Sequence, residues 1–167
     1  EVRPKPAREI TLGFATTVDK AIATMNTWGA QPLPLSAACY ADDTLYVRLS
    51  GSELGVQAAR AKLGGKALDK SDEFWRDVRE HRHGFFQGDA PLWRLSVPPA
   101  TPPISLPGLQ PEATLVEWGG AQRWVHAHLD PTKVRDAVAA VGGHATLFRG
   151  GTRTGAVFHP LPPGLMR

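Results

Sequence analysis

Cysteine is nearly missing from this chain: Cys39 is the single thiol in 167 residues, so no internal disulfide can form. Its place in an apolar run marks it as a small buried hydrophobe rather than a nucleophile, and such sparing use of cysteine fits a reducing compartment. Long hydrophobic runs are also lacking. No stretch reaches the ~20 apolar residues needed to cross a bilayer, and the start does not read as a secretory signal. Charge of one sign never accumulates. Arg48, Arg60, Arg76, Arg94, Arg123 and Arg149 are scattered among acids, and there is no lysine-rich stripe. A net charge of +3 and a pI near 9.3 therefore describe a mixed solvated surface, and nucleic acid is not an expected partner.

What remains is enough for one domain with a real core, since 42% of the residues are apolar. Ile10, Leu12 and Phe14 alternate as one face of a strand; Val18, Ala21, Ile22 and Met25 follow at helical spacing up to Gly29. Leu35 to Tyr40 and Leu45 to Leu49 read as strands joined across Asp42-Asp43. Ser50 with Glu53 predicts a capping box for a helix carrying Val56, Ala59 and Leu63, stopped at Gly64-Gly65. A further helix starts near Ser71 and offers Phe74, Trp75 and Val78 for burial. In the second unit Trp93, Leu95 and Val97 form a strand. A crossover helix should follow, but Pro98 to Gly108 holds five prolines, which forbid helix interiors and predict an extended connection. Leu115 to Trp118 and Arg123 to Leu129 then make a hairpin about Gly119-Gly120. Asp130 caps a helix with Pro131 in its first turn and Val134, Ala137, Val138 and Val141 on one stripe, ending at Gly142-Gly143. Ala145 and Leu147 give the last strand. The pattern is an α+β, ferredoxin-like plan, partly duplicated, with an antiparallel sheet and helices on one side.

Two irregular strings are more specific than any of these periodicities. They are V-E-W-G-G-A-Q-R-W-V at Val116 to Val125 and L-W-R-L-S-V-P-P at Leu92 to Pro99. With Pro34 to Gly51, Phe74 to Arg82, Gly142 to Gly150 and Phe158 to Pro163, in that order along the chain, they resemble the C-terminal part of the FAD-binding E subunits of bacterial glycolate oxidases. Those subunits belong to the FAD-linked oxidases built on the vanillyl-alcohol-oxidase plan. The resemblance implies that residues 1–167 are the substrate-side cap domain. It also implies that the N-terminal domain, which holds the flavin pyrophosphate in a glycine-rich loop, lies outside this chain. The implied activity of the whole protein is oxidation of glycolate to glyoxylate, with FAD as carrier. The implied partners are the other glycolate oxidase subunits, a catalytic FAD subunit and an iron-sulfur subunit. The implied location is the cytoplasm, or the inner face of the membrane through the complex. The isolated chain is expected neither to bind FAD tightly nor to turn over substrate. The rival reading is a stand-alone ferredoxin-like module that binds a small molecule or RNA, since this plan hosts many functions.

Candidate site residues follow from the same plan. Arg48, Arg94 and Arg123 sit on predicted strands; the resemblance turns one sheet face toward flavin and substrate, where arginines would meet a 2-hydroxy acid's carboxylate. His144 and Thr146 share a strand face and would point at the flavin. Catalytic relatives carry a Glu-His-Gly segment whose histidine serves as a base. Aligned on Gly142-Gly143, this chain has Phe148 and Arg149 there, so no catalytic residue is assigned and Arg149 is left to hold the cofactor or a carboxylate. The histidine run with which some relatives bind a metal is absent. His126 and His128, two apart on a strand, are not expected to bind one. Trp118 and Trp124 are expected to pack rather than stack on flavin.

Overall fold

The computed structural model describes residues 5–110 and 113–151; the Phe158 to Pro163 string lies outside them. The order of elements is β1 (Arg8–Ala15), α1 (Val18–Gly29), β2 (Leu35–Ala41), β3 (Thr44–Gly51), α2 (Glu53–Leu63), β4 (Lys66–Ala67), α3 (Ser71–Arg79), β5 (Leu92–Ser96), β6 (Thr114–Glu117), β7 (Gln122–His126), α4 (Pro131–Ala139) and β8 (His144–Arg149). The eight strands of the described residues form one antiparallel sheet in the order β4-β1-β3-β2-β6-β7-β5-β8. Each half has the ferredoxin-like strand order, and the second runs in reverse, so that the second strands of the two halves meet at the centre. The fold class is the expected one.

Alternation decides which residues face which layer. Leu12, Tyr40, Leu45, Val47, Leu49 and Val116 form one cluster with Ala21, Ile22 and Met25 of α1 and Val56 and Ala59 of α2. On the same side, Trp93, Leu95, Val125 and Ala145 pack against Val134 and Val138 of α4 and Leu106 of the proline-rich connection. Three helices thus lie to one side, and α3 is the exception to the expected one-sided arrangement. Its Phe74, Trp75 and Val78 cover the other face over Cys39, Ala41, Leu115 and Trp124, because this end of the sheet is apolar on both faces. The Trp75 indole anchors α3 to the first half by donating to Thr11 Oγ1 at 2.8 Å.

Local details refine the sequence reading. The cap of α2 is Ser52, whose hydroxyl accepts from Gly55 N, while Ser50 belongs to β3 and donates to Glu9; the Ser50 capping box does not form. Asp130 caps α4 as expected, accepting from Thr132 N and Lys133 N. Strand β7 stops at His126, short of Leu129. The hairpin corner is a 3₁₀ turn at Trp118–Gly120 in which Trp118, at φ 54°, takes a left-handed conformation normally left to glycine. Asn26 of α1 stitches that corner to the first half, donating to Gly119 O at 3.0 Å and to Ile22 O at 2.8 Å.

Candidate functional site on the open sheet face

The sheet face opposite α1, α2 and α4 is only partly covered by α3, and its uncovered part is polar. β2 and β6 pair at just two positions, Cys39↔Glu117 and Tyr40↔Val116. Beyond them the first half of β2 parts from the Trp118–Gly120 turn, leaving a cleft of about 630 Å³. Ser36, Arg48, Trp75, Arg79, His81, Glu117, Trp118 and Gln122 line it.

Arg48 stands in this cleft. Its Nε donates to Ser36 Oγ at 2.9 Å, its guanidinium carbon lies 5.6 Å from the Trp75 ring centroid, and Glu9 is 3.8 Å away. Arg94 lies in the second half of the same face, in register with Trp124 on one side and Thr146 on the other. It is half-buried, and no hydrogen bond or ion pair holds it among the described residues. His144 and Thr146 alternate on this face of β8, with buried Ala145 turned to the core. The structure therefore brings Arg94, His144 and Thr146 together. Arg48 is four strands away, roughly 19 Å at the usual strand spacing, so one small carboxylate cannot meet both arginines.

Arg123 departs from the expected arrangement. Paired with Leu95 and Val116, it lies on the helix side of the sheet, 2% exposed, and never reaches the open face. Its Nε donates to Gly120 O at 3.1 Å and Nη1 to Pro102 O at 2.7 Å, and Nη2 donates to Thr101 O. Burial lowers its pKa to about 10. Arg149 donates to Phe86 O, tying the end of β8 to the segment after α3. Trp124 packs as expected, 2% exposed, but Trp118 does not: it is 73% exposed at its corner. His126 lies against Gly88 and Phe85, and among the described residues no group of three His, Cys, Asp or Glu side chains is placed to hold a metal.

The sequence reading missed His81. No periodicity signals it: α3 ends at Arg79, and His81, at φ 54°, sits in the turn beyond the helix, where the chain has left the helical stripe of Trp75 and Val78. The imidazole meets Phe86, Trp124 and Phe148 at ring-centroid distances of 4.5, 4.8 and 5.3 Å. Desolvation lowers its pKa and outweighs the opposite pull of Glu117, so its surroundings favour the neutral ring. Glu117 Oε1 accepts from Gln122 Nε2 and from Trp124 Nε1, each at 2.7 Å, and so fixes the wall beside it. Cys39 lies beneath this wall, fully buried, with burial pushing its thiol well up; it is inert packing.

Architecture and site together define an α+β sheet domain with one face that is polar and only partly covered. The chain is 36% identical over all its 167 residues to glycolate oxidase subunit GlcE of Escherichia coli (strain K12), and it spans 45% of that subunit's length. The likeness read from the ordered strings thus holds along the whole chain. No family model matches the chain, and no solved structure does either.

Proposed function

We propose that this chain is the substrate-side cap domain of an FAD-dependent glycolate oxidase subunit, which in the assembled enzyme takes part in oxidising glycolate to glyoxylate. The observation that carries this reading is the similarity of the whole of this chain to part of a glycolate oxidase subunit. The open polar face supports it. Arg94, half-buried and unpartnered among the described residues, fits an anionic ligand edge, and His144 and Thr146 beside it offer further polar contacts. These residues fit the ring end of a flavin. When bound, FAD supplies the two-electron acceptor for the hydroxy acid. The chain's part is to orient the carboxylate and exclude water, with Arg48 in the cleft or Arg94 on the open face as the cation.

The cap supplies one wall of such a site, so the isolated chain should be colourless; a visible absorbance band surviving gel filtration would contradict this. With Phe148 and Arg149 where relatives carry Glu-His, we propose that the whole subunit oxidises glycolate slowly alone and depends on partner subunits. A placed base is worth ~10²–10⁴ in rate. The test is the full-length subunit, loaded with FAD and mixed anaerobically with glycolate. Slow bleaching that partner subunits accelerate is expected. Rapid bleaching of the subunit alone would overturn the dependence. No bleaching even in the assembled complex would overturn the glycolate reading itself.

A further inference from the structure

The proline-rich connection takes the place of a crossover helix, and it leaves space beneath it. A cavity of about 180 Å³ lies between the connection and the sheet. Leu95, Ile104, Leu106, Leu109, Val116 and Val125 form its apolar walls. Pro103 and Ser105, both exposed, sit at its mouth.

Among the described residues one charged side chain lines this cavity, and it is Arg123. Three backbone carbonyls accept from its guanidinium, yet no carboxylate pairs with it among the described residues. A guanidinium carries five N–H donors, so this one keeps hydrogen-bonding capacity in reserve. Its lowered pKa agrees with a buried cation that has dipoles for company but no counter-ion. Such a charge beside an apolar cavity is relieved by an anion, and charge-assisted bidentate bonds are the strong ones. The walls narrow the choice of anion: a hydrated inorganic ion gains nothing from six aliphatic side chains, whereas an apolar tail does. An aliphatic cavity of ~150 Å³ takes a benzene-sized guest, so a tail of about five carbons is the right scale.

We propose that this cavity binds a small carboxylate bearing a short aliphatic tail, with the carboxylate on Arg123 and the tail against Leu106, Val116 and Val125. The site lies on the helix side of the sheet, away from the open face, and stands whether or not that face serves glycolate. It also gives Arg123 a carboxylate-binding role on the face opposite to that expected from the sequence.

Titration of the 167-residue chain with hexanoate, followed by amide chemical shifts, tests the proposal. Saturable shifts confined to Leu106, Val116, Val125 and their neighbours are expected, with hexanol at least about tenfold weaker because it lacks the charge. Ile104→Trp, which fills the cavity from the wall of the connection and leaves Arg123 in place, should abolish the hexanoate shifts while the far-ultraviolet circular dichroism is unchanged. Scattered, non-saturating shifts would overturn the site. Equal affinity for hexanol would overturn the role of the charge, and undiminished binding by Ile104→Trp would overturn the location.

Discussion

In the first half of the sheet, α1 covers Leu12, Tyr40 and Val116 with Ala21, Ile22 and Met25, and its backbone satisfies itself within the helix. In the second half the same place between first and second strands is taken by Pro98 to Gly108, whose five prolines rule out a regular helix and leave only isolated turn bonds such as Thr101 N to Pro98 O. Most of its carbonyls lack helical donors, and the guanidinium of Arg123 supplies donors to Thr101 and Pro102. The comparison teaches that deleting a helix removes apolar cover and backbone donors together. Leu106 replaces part of the cover and Arg123 replaces some of the donors, but the replacement packs less tightly and leaves the cavity behind.

The largest expected effect comes from removing the substitute donor. Arg123→Met should cost about 3 kcal/mol in chemical denaturation, since buried carbonyls lose charged donors. Ile22→Ala in α1 should cost a similar ~2–4 kcal/mol by leaving a cavity, without releasing any backbone group. Hydrogen exchange separates the two: the arginine variant should expose the connection locally, the isoleucine variant should not. If Arg123→Met leaves stability and exchange unchanged, the donor account fails.

A middle-sized effect is expected where the two halves are stitched. A Cβ on Gly120, at φ 101°, would fall 2.3 Å from Pro99 O, so Gly120→Ala should cost about 2 kcal/mol. At Gly119, φ is 65° with open space around it, and Gly119→Ala should cost only about 1 kcal/mol. Equal melting temperatures for the two variants would mean that the Pro99 carbonyl moves freely and the stitch is loose.

The smallest effect is a pH dependence. Burial holds the folded pKa of His81 below its ordinary value, so the unfolded chain takes up this proton first as pH falls. The contribution is therefore whole above about pH 6.5 and is lost as pH drops through the folded pKa. His81→Phe should flatten the fall of the denaturation midpoint as pH drops below about 6.5, and an unchanged slope would show that the ring is solvated.

Much of this was legible from periodicity. The pattern of Val18, Ala21, Ile22 and Met25 placed α1, and five prolines announced the missing helix. The orientation of Arg123 was not legible, because Trp124 and Val125 are both apolar and the strand is buried on both faces there, so alternation could not say which way the arginine points. β4 escaped because its two exposed residues carry no pattern. The face chosen by α3 was hidden for a related reason: its partners Cys39, Leu115 and Trp124 come from three separate strands, and only the assembled sheet puts them side by side. For the open face, Arg94 and Thr146 were recognised but their adjacency depends on β5 lying between β7 and β8.

The seam between β2 and β6 has a consequence for solubility. A strand with an unpaired flank is a template on which another chain can add its own strand, and β2, with the sequence L-S-A-A-C-Y-A, carries no charge or proline to discourage this. Turned against β6, its second half is withdrawn from neighbours. The outer strands that remain are β4, two residues long, and β8, which begins at His144 and finishes at Arg149. At Cys39 and Tyr40 each half is thus the other's stopper against strand-by-strand growth.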